Sequence, residues 1–278
     1  YDIIKKVDEA CCASSQNNQS ELFAGTPGAE GRTTTLRDSL DAMWKALPDY
    51  LVDNPHNGLV LADVSGSMTR GTGSIEPIYV SVSLAIYFAQ HSKGYFAGRF
   101  MEFTDQAKIQ TIKSEHICDA WKEVRSASWG YSTNLQAAFD SILNAARLNA
   151  VPQSEMPDVL YIISDMQFNE ACRDNKRTNF EVMQDKYAKA GYKMPRVCFW
   201  NVNAAYGRQS PVQKNEDDVV LVSGCSPSIF SMALNGEVVT PYEFMLQALD
   251  VERYEVIKVA DCDKPVPTKK MNDMKVSA

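Results

Sequence analysis

The stretch Leu59-Val60-Leu61-Ala62-Asp63-Val64-Ser65-Gly66-Ser67-Met68 decides the fold of this 278-residue chain. An apolar run of strand length, Gly58 to Ala62, ends abruptly in an acidic side chain and two hydroxyl side chains. The central strands of parallel sheets are apolar throughout, and open α/β folds bind ligands at the edge where those strands end. We therefore expect a buried parallel strand that delivers Asp63, Ser65 and Ser67 to that edge.

The polar side chains of this turn predict a site for a hard divalent cation. Asp63, Ser65 and Ser67 offer carboxylate and hydroxyl oxygens, and Gly66 is expected to let the backbone fold closely around a bound ion. No His or Cys lies nearby, so the turn suits Mg²⁺, Mn²⁺ or Ca²⁺ better than Zn²⁺. A polar strand-to-loop turn without a ligand is the alternative, and the turn alone does not exclude it.

Two distant segments favour the metal site over a plain turn. Thr133 lies just before a strong helical pattern, although a hydroxyl at that position can equally cap the helix. Asp165 follows a second apolar strand that begins at Val159, although a lone Asp at a strand end is commonly just solvated. Two apolar strands that both end in Asp, together with a hydroxyl before a helix, are a rarer coincidence.

Together these residues resemble the metal-ion-dependent adhesion site (MIDAS) of the von Willebrand factor A (vWA) domain. The motif is D-x-S-x-S, then a Thr, then an Asp, and here it reads Asp63, Ser65, Ser67, Thr133 and Asp165. The resemblance covers roughly residues 57–235. It implies that the two serines and Thr133 contact the metal, while Asp63 and Asp165 act directly or through water. It also implies that an Asp or Glu of a partner protein fills the position left open.

Further segments resemble two narrower groups of vWA proteins. The segments are Trp44-Lys45-Ala46-Leu47-Pro48, Leu221-Val222-Ser223-Gly224 and Pro241-Tyr242-Glu243-Phe244-Met245. One group is the A domain of the Ro (TROVE-type) ribonucleoprotein, and the other is DUF2828, a family of unknown function in bacteria, phages and some eukaryotes. In both groups a long helical module precedes the A domain. The resemblance implies such a module upstream, and because the first residue is not Met we expect a fragment or a processed product.

The alternation of predicted strands and helices indicates an α/β fold, a three-layer, doubly wound (Rossmann-like), mostly parallel sheet with helices on both faces. A predicted hairpin, Arg99 to Phe103 and Ala107 to Ile112, adds one antiparallel edge strand, as the vWA fold has. The expected organisation is an N-terminal helical and loop extension at 1–56 that packs on the domain, the vWA domain at 57–260, and a disordered tail at 261–278.

Within the N-terminal extension we expect a short helix over residues 1–12 and a flexible loop over 13–32, because the loop segment is rich in Ser, Asn, Gln, Gly and Pro. A second helix, capped by Thr33 to Thr35, follows. Its apolar residues are expected to form one buried stripe, Leu36, Leu40, Met43, Trp44, Leu47 and Leu51.

Composition excludes several classes of function. The formal net charge is −7, so the surface as a whole does not attract nucleic acid. The seven cysteines are scattered without a C-x-x-C pair, which argues against a disulfide framework or a zinc site, and we expect a reducing, cytoplasmic location. No segment approaches the roughly 20 apolar residues of a membrane span, so no membrane partner is expected.

Three classes of function remain open. The leading hypothesis is a metal-dependent protein-binding module whose Mg²⁺, or Mn²⁺ or Ca²⁺, coordinates an acidic residue of a partner. The alternative is a scaffold subunit of a Ro-like ribonucleoprotein, in which RNA would bind only through the missing upstream module. An enzyme is least favoured, because Ser65 stands where a D-x-D phosphotransferase needs its second Asp and no G-x-S-x-G elbow occurs. We expect no catalytic residue.

Overall fold

The structure is a computed structural model, and the residues that it describes are 1–20, 29–52, 57–69, 76–102, 107–126, 135–165, 176–203, 219–225, 229–230 and 233–234. For residues 12–20, 29–33 and 176–180 it describes the backbone alone. All of these residues fall within one compact unit that spans Tyr1–Glu237. The predicted tail at 261–278 lies outside the described residues.

The described strands form a single six-stranded sheet in the order β3-β2-β1-β4-β5-β6. The strands are β1 Gly58–Ala62, β2 Arg99–Glu102, β3 Ile109–Thr111, β4 Val159–Ser164, β5 Arg196–Asn201 and β6 Val219–Ser223. The pair β2–β3 is antiparallel and every other pair is parallel. This confirms the predicted α/β fold with a mostly parallel sheet and one antiparallel edge strand.

The two faces of the sheet bury separate apolar clusters. The side chains of the central strands are therefore apolar on both faces instead of alternating between apolar and polar. Along β1, Val60 and Ala62 belong to the first cluster, whereas Leu59 and Leu61 belong to the second. The helices are α1 Asp2–Ser20, α2 Ala29–Lys45, α3 Pro77–His91, α4 Ile117–Arg125, α5 Leu135–Leu148 and α6 Lys176–Lys189. Buried residues of α1 to α4 join the first cluster and those of α5 and α6 join the second, so helices cover both faces.

Strand β1 and helix α3 approach each other closely at Gly58. A Cβ atom at this position would lie 2.8 Å from ring carbons of both Phe88 and Tyr161. Both rings are almost fully buried, so neither can swing into solvent. The first residue of β1 is therefore glycine because two aromatic rings fill the space that a side chain would need.

The N-terminal helices differ from the prediction. Helix α1 continues to Ser20 and α2 already begins at Ala29, so residues 13–20 and 29–32 are helical where a loop was expected. The loop prediction rested on composition, yet Ser, Asn and Gln each cost less than about 0.7 kcal/mol relative to Ala within a helix. A helix held by its apolar face can therefore continue through them.

The apolar stripe predicted for α2 is narrower than expected. Leu40 and Trp44 are buried, as is Leu51 beyond the helix end. The other members of the stripe, Leu36, Met43 and Leu47, are 49%, 47% and 38% exposed. Polar residues occupy part of the face by which α2 docks on α4. Arg37 binds Asp119, and Asp41 accepts a hydrogen bond from the backbone of α4.

The first two helices dock on the rest of the domain through apolar and polar contacts. Ile4 and Val7 of α1 are completely buried in the first cluster. Arg125 of α4 lies 2.7 Å from Asp8, and the Trp44 indole N–H donates to the Gln90 side chain of α3 over 2.8 Å. Within the described part of the chain, no helix has the length and apolar character to cross a membrane.

Candidate metal centre

The carboxyl ends of β1 and β4 bring Asp63 and Asp165 together. These strands are parallel neighbours, and the Asp63 amide extends their ladder by donating to the Ile163 carbonyl over 3.0 Å. The strand order reverses direction between β1 and β4, which is the switch point where open α/β sheets bind ligands. Both acids are buried there, with 4% and 1% of their surface exposed. The structure thus joins two predicted site residues from distant segments at the expected edge.

The Asp63 carboxylate is held by hydrogen bonds at both of its oxygens. The Ser65 backbone N–H donates to Oδ1 over 2.9 Å, and the Ser164 hydroxyl donates to Oδ2 over 2.6 Å. Burial raises the pKa of the Asp63 carboxyl above its ordinary value, while these hydrogen bonds oppose the shift and the charge of Asp165 adds to it. A cation beside the two acids would offset that burial cost, because it supplies the opposite charge.

The turn after β1 places two hydroxyl groups next to each other. Residues Gly66–Thr69 form a 3₁₀ turn, anchored by the fully buried Met68. The Ser65 and Ser67 hydroxyl oxygens lie 3.0 Å apart, and both side chains remain partly exposed. In an octahedral Mg²⁺ site, with metal–oxygen distances near 2.1 Å, neighbouring ligands are about 3.0 Å apart. The two hydroxyls therefore fit adjacent positions around one such ion.

Gly66 lies between the two serines of this turn. Its φ is not positive, and a Cβ atom at this position would meet nothing within 4 Å. The turn itself therefore does not require glycine.

Thr133, the fifth predicted ligand, lies outside the described residues, two positions before α5 begins at Leu135. Within the described ranges, no three His, Cys, Asp or Glu side chains are grouped as metal ligands. That finding does not bear on the predicted set, since two carboxylates and three hydroxyls make up its donors. A further buried acid, Glu102, ends β2 opposite Ala62, and by this register it faces the first cluster rather than the side of Asp63.

Ser164 is the site residue that sequence reasoning missed. The residue carries no motif signal of its own, and its position beside Asp63 follows from the β1–β4 register. The pattern of a hydroxyl residue directly before the strand-ending Asp165 is the feature that could have indicated it. With its donors all oxygen, the described part of the site fits a hard cation such as Mg²⁺.

Comparison with known proteins places the chain in a family. The model of a family described as "Domain of unknown function (DUF7788)" matches residues 57–276. This designation differs from DUF2828, which the sequence resemblance had suggested. "Uncharacterized protein L728" of Acanthamoeba polyphaga mimivirus is 30% identical over 213 residues, which cover 76% of this chain and 36% of that protein. The chain therefore spans about a third of the length of this curated relative.

Two solved structures show a partial likeness. The Ro (RSR) protein of Deinococcus radiodurans matches with a TM-score of 0.46 and 17% identity, over 74% of this chain and 38% of that chain. Proximal thread matrix protein 1 of the mussel byssus matches with a TM-score of 0.37 and 13% identity, over 65% and 46% of the two chains. Both scores are low, so the fold assignment rests on the strand order and registers of the chain itself.

Proposed function

The chain belongs to the family described as "Domain of unknown function (DUF7788)", and we propose that it is a metal-dependent protein-binding module. The observation that supports this proposal is the pair of buried acids, Asp63 and Asp165, beside the two hydroxyls of Ser65 and Ser67. Burial disfavours the charged form of a carboxyl group, and two adjacent acids disfavour each other's charge. A divalent cation is the simplest group that would balance them.

The donor set leaves room for a ligand from outside the chain. Mg²⁺ takes six oxygen ligands and keeps several waters where the protein supplies few. Ser65, Ser67 and Thr133 would supply hydroxyl oxygens, with Asp63 and Asp165 acting directly or through water. The position that remains would accept an Asp or Glu carboxylate of a partner protein, in agreement with the MIDAS resemblance. Mn²⁺ and Ca²⁺ are the other candidate ions.

Calorimetric titration with Mn²⁺ tests the metal site. The wild-type chain and Asp185→Ala, which removes an exposed acid of α6, are expected to bind one ion, whereas Asp63→Ala is expected to bind none. Circular dichroism and urea unfolding establish that each variant is folded. Equal Mn²⁺ affinity in Asp63→Ala and the wild type would refute the metal site.

A displayed peptide library tests the protein-binding step. Selection on the immobilised chain with Mn²⁺ is expected to enrich peptides that contain Asp or Glu, and EDTA is expected to release them. Replacing the enriched acid by Asn or Gln should abolish binding. Enrichment that persists in EDTA or in Asp63→Ala would show that any protein binding is independent of the metal.

We propose as a second candidate a scaffold role in a Ro-like ribonucleoprotein. The observation in its favour is the docking of α1 and α2 on α3 and α4 through Ile4, Val7 and Trp44, which would hold an upstream module in a fixed orientation. In that case RNA would bind the upstream module and not this acidic chain. Salt-dependent binding of RNA by the 278-residue chain alone would contradict that division of roles.

A further inference from the structure

Ser164 lies at the end of β4 with its hydroxyl directed at Asp63. The residue is 1% exposed, and its Oγ is 2.6 Å from the Asp63 Oδ2 atom. Because the Asp63 amide bonds to the Ile163 carbonyl, Asp63 continues β1 beside Ser164 and shares its side of the sheet. The contact is therefore a product of the strand register, between residues that are far apart in the chain.

We propose that Ser164 is a positioning residue that holds the Asp63 carboxylate in the orientation that the cation site needs. This inference rests on the metal-binding function proposed above. The last torsion of an Asp side chain is broad, so one hydrogen bond does not fix the plane of the carboxylate. A second donor on the other oxygen does fix it, and Ser164 supplies that donor opposite the Ser65 N–H.

The geometry separates this role from that of the ligands. Ser164 is fully buried, whereas Ser65 and Ser67 are partly exposed on the open side of the turn. Its hydrogen bond goes to the carboxylate, whose two oxygens offer about four lone-pair sites in total, so acceptor capacity remains for an ion or its bound water. Groups that orient metal ligands in this way typically change metal affinity by about 10- to 100-fold when they are removed.

The test compares Ser164→Ala, Ser164→Thr and Ser223→Ala by Mn²⁺ calorimetry, with urea unfolding of the metal-free proteins. Ser164→Ala is expected to lose about 10- to 100-fold in Mn²⁺ affinity. Ser164→Thr keeps the hydroxyl and is expected to bind within about threefold of the wild type, since it preserves the donor. Ser223→Ala is the matched control, because it removes an exposed serine at the carboxyl end of β6, on the side of the sheet where β4 also ends.

A merely structural role would give a different pattern. It would lower the unfolding free energy of Ser164→Ala while leaving the Mn²⁺ affinity of the folded protein unchanged, and that result would overturn the inference. If Ser164→Ala does not fold, Ser164→Cys replaces it, because the thiol keeps the size but is a weak donor. The Cys variant is expected to lose affinity too, and wild-type affinity in it would also overturn the inference.

The same data distinguish failure of the inference from failure of the proposed function. Wild-type affinity in Ser164→Ala, in a protein whose wild type binds Mn²⁺, refutes the positioning role alone. Absence of Mn²⁺ binding by the wild type refutes the metal function and, with it, the role of Ser164. Loss in Ser164→Ala with recovery in Ser164→Thr supports both.

Discussion

Replacing Asp41 by Ala is expected to destabilise the chain, because this acid of α2 caps the start of α4. Its Oδ1 accepts the buried backbone N–H of Ile117 over 2.9 Å, and its Oδ2 lies 2.7 Å from the Lys45 ammonium. Asp41 is 8% exposed, so water cannot replace the lost acceptor easily. His116 occupies the N-cap position, and its side chain accepts from the Cys118 amide rather than from that of Ile117.

The expected magnitude follows from these contacts. A buried hydrogen bond to a charged group contributes about 1.5–3 kcal/mol. The ion pair with Lys45 contributes little beyond this, because the exposed ammonium is screened by solvent. We therefore expect Asp41→Ala to lower the unfolding free energy at pH 7 by about 2–3 kcal/mol. Asp41→Asn keeps an acceptor and is expected to lose about 1 kcal/mol. Asp38 lies on the same helix, but its side chain is 78% exposed. Asp38→Ala is therefore expected to change the unfolding free energy by less than about 0.5 kcal/mol.

The loss should also depend on pH. Burial acts to raise the pKa of Asp41, but the bonds from Lys45 and the Ile117 amide outweigh it, so the pKa lies below its ordinary value. A lowered pKa stabilises the folded state above the unfolded value, near 3.9 for Asp, and this stabilisation is lost as the pH falls through the folded value. Urea unfolding at pH 7 and at stepwise lower pH should show the unfolding free energy of the wild type falling towards that of Asp41→Ala. Equal effects of Asp41→Ala and Asp38→Ala at pH 7 would refute this account.

Three further changes test other parts of the structure. Asp63→Asn is expected to raise the thermal stability of the metal-free protein, because it removes a buried charge, and to abolish Mn²⁺ binding; lower stability with binding retained would contradict this. Gly58→Ala is expected to lower the unfolding free energy by roughly 1–3 kcal/mol, because its Cβ would overlap two buried rings. Gly66→Ala should leave the unfolding free energy nearly unchanged. Similar losses in the two variants would show that the ring contact is unimportant. Tyr187→Phe removes a buried 2.8 Å hydrogen bond to the Phe139 carbonyl and should cost about 1 kcal/mol, and an unchanged unfolding midpoint would count against that bond.

Much of the candidate site was predictable because its residues follow their own strands directly. Asp63 and Asp165 each come immediately after an apolar run, and local periodicity identifies such runs without knowledge of the partners. Ser65 and Ser67 belong to the same turn as Asp63, so their proximity is a local property. The prediction that Thr133 joins them remains a prediction.

Other features could not be read from local pattern. Helix α1 extends to Ser20 through residues that composition assigned to a loop, since propensity differences are small compared with the energy of packing. The exposed side of α2 was likewise misjudged, because Leu36 and Leu40 are alike in sequence and differ only in what lies opposite them. Burial of a helix face depends on the partner helix as well as on the helix itself.

The sequence alone determined the α/β class and the acids at two strand ends, because strand and helix periods are properties of neighbouring residues. Only the tertiary structure decided that Ser164 holds Asp63 and that Asp41 caps α4. The first contact requires the β1–β4 register, and the second requires α2 to lie beside the start of α4. Both depend on pairing between segments that are distant along the chain, and such pairing is selected by the burial of whole faces.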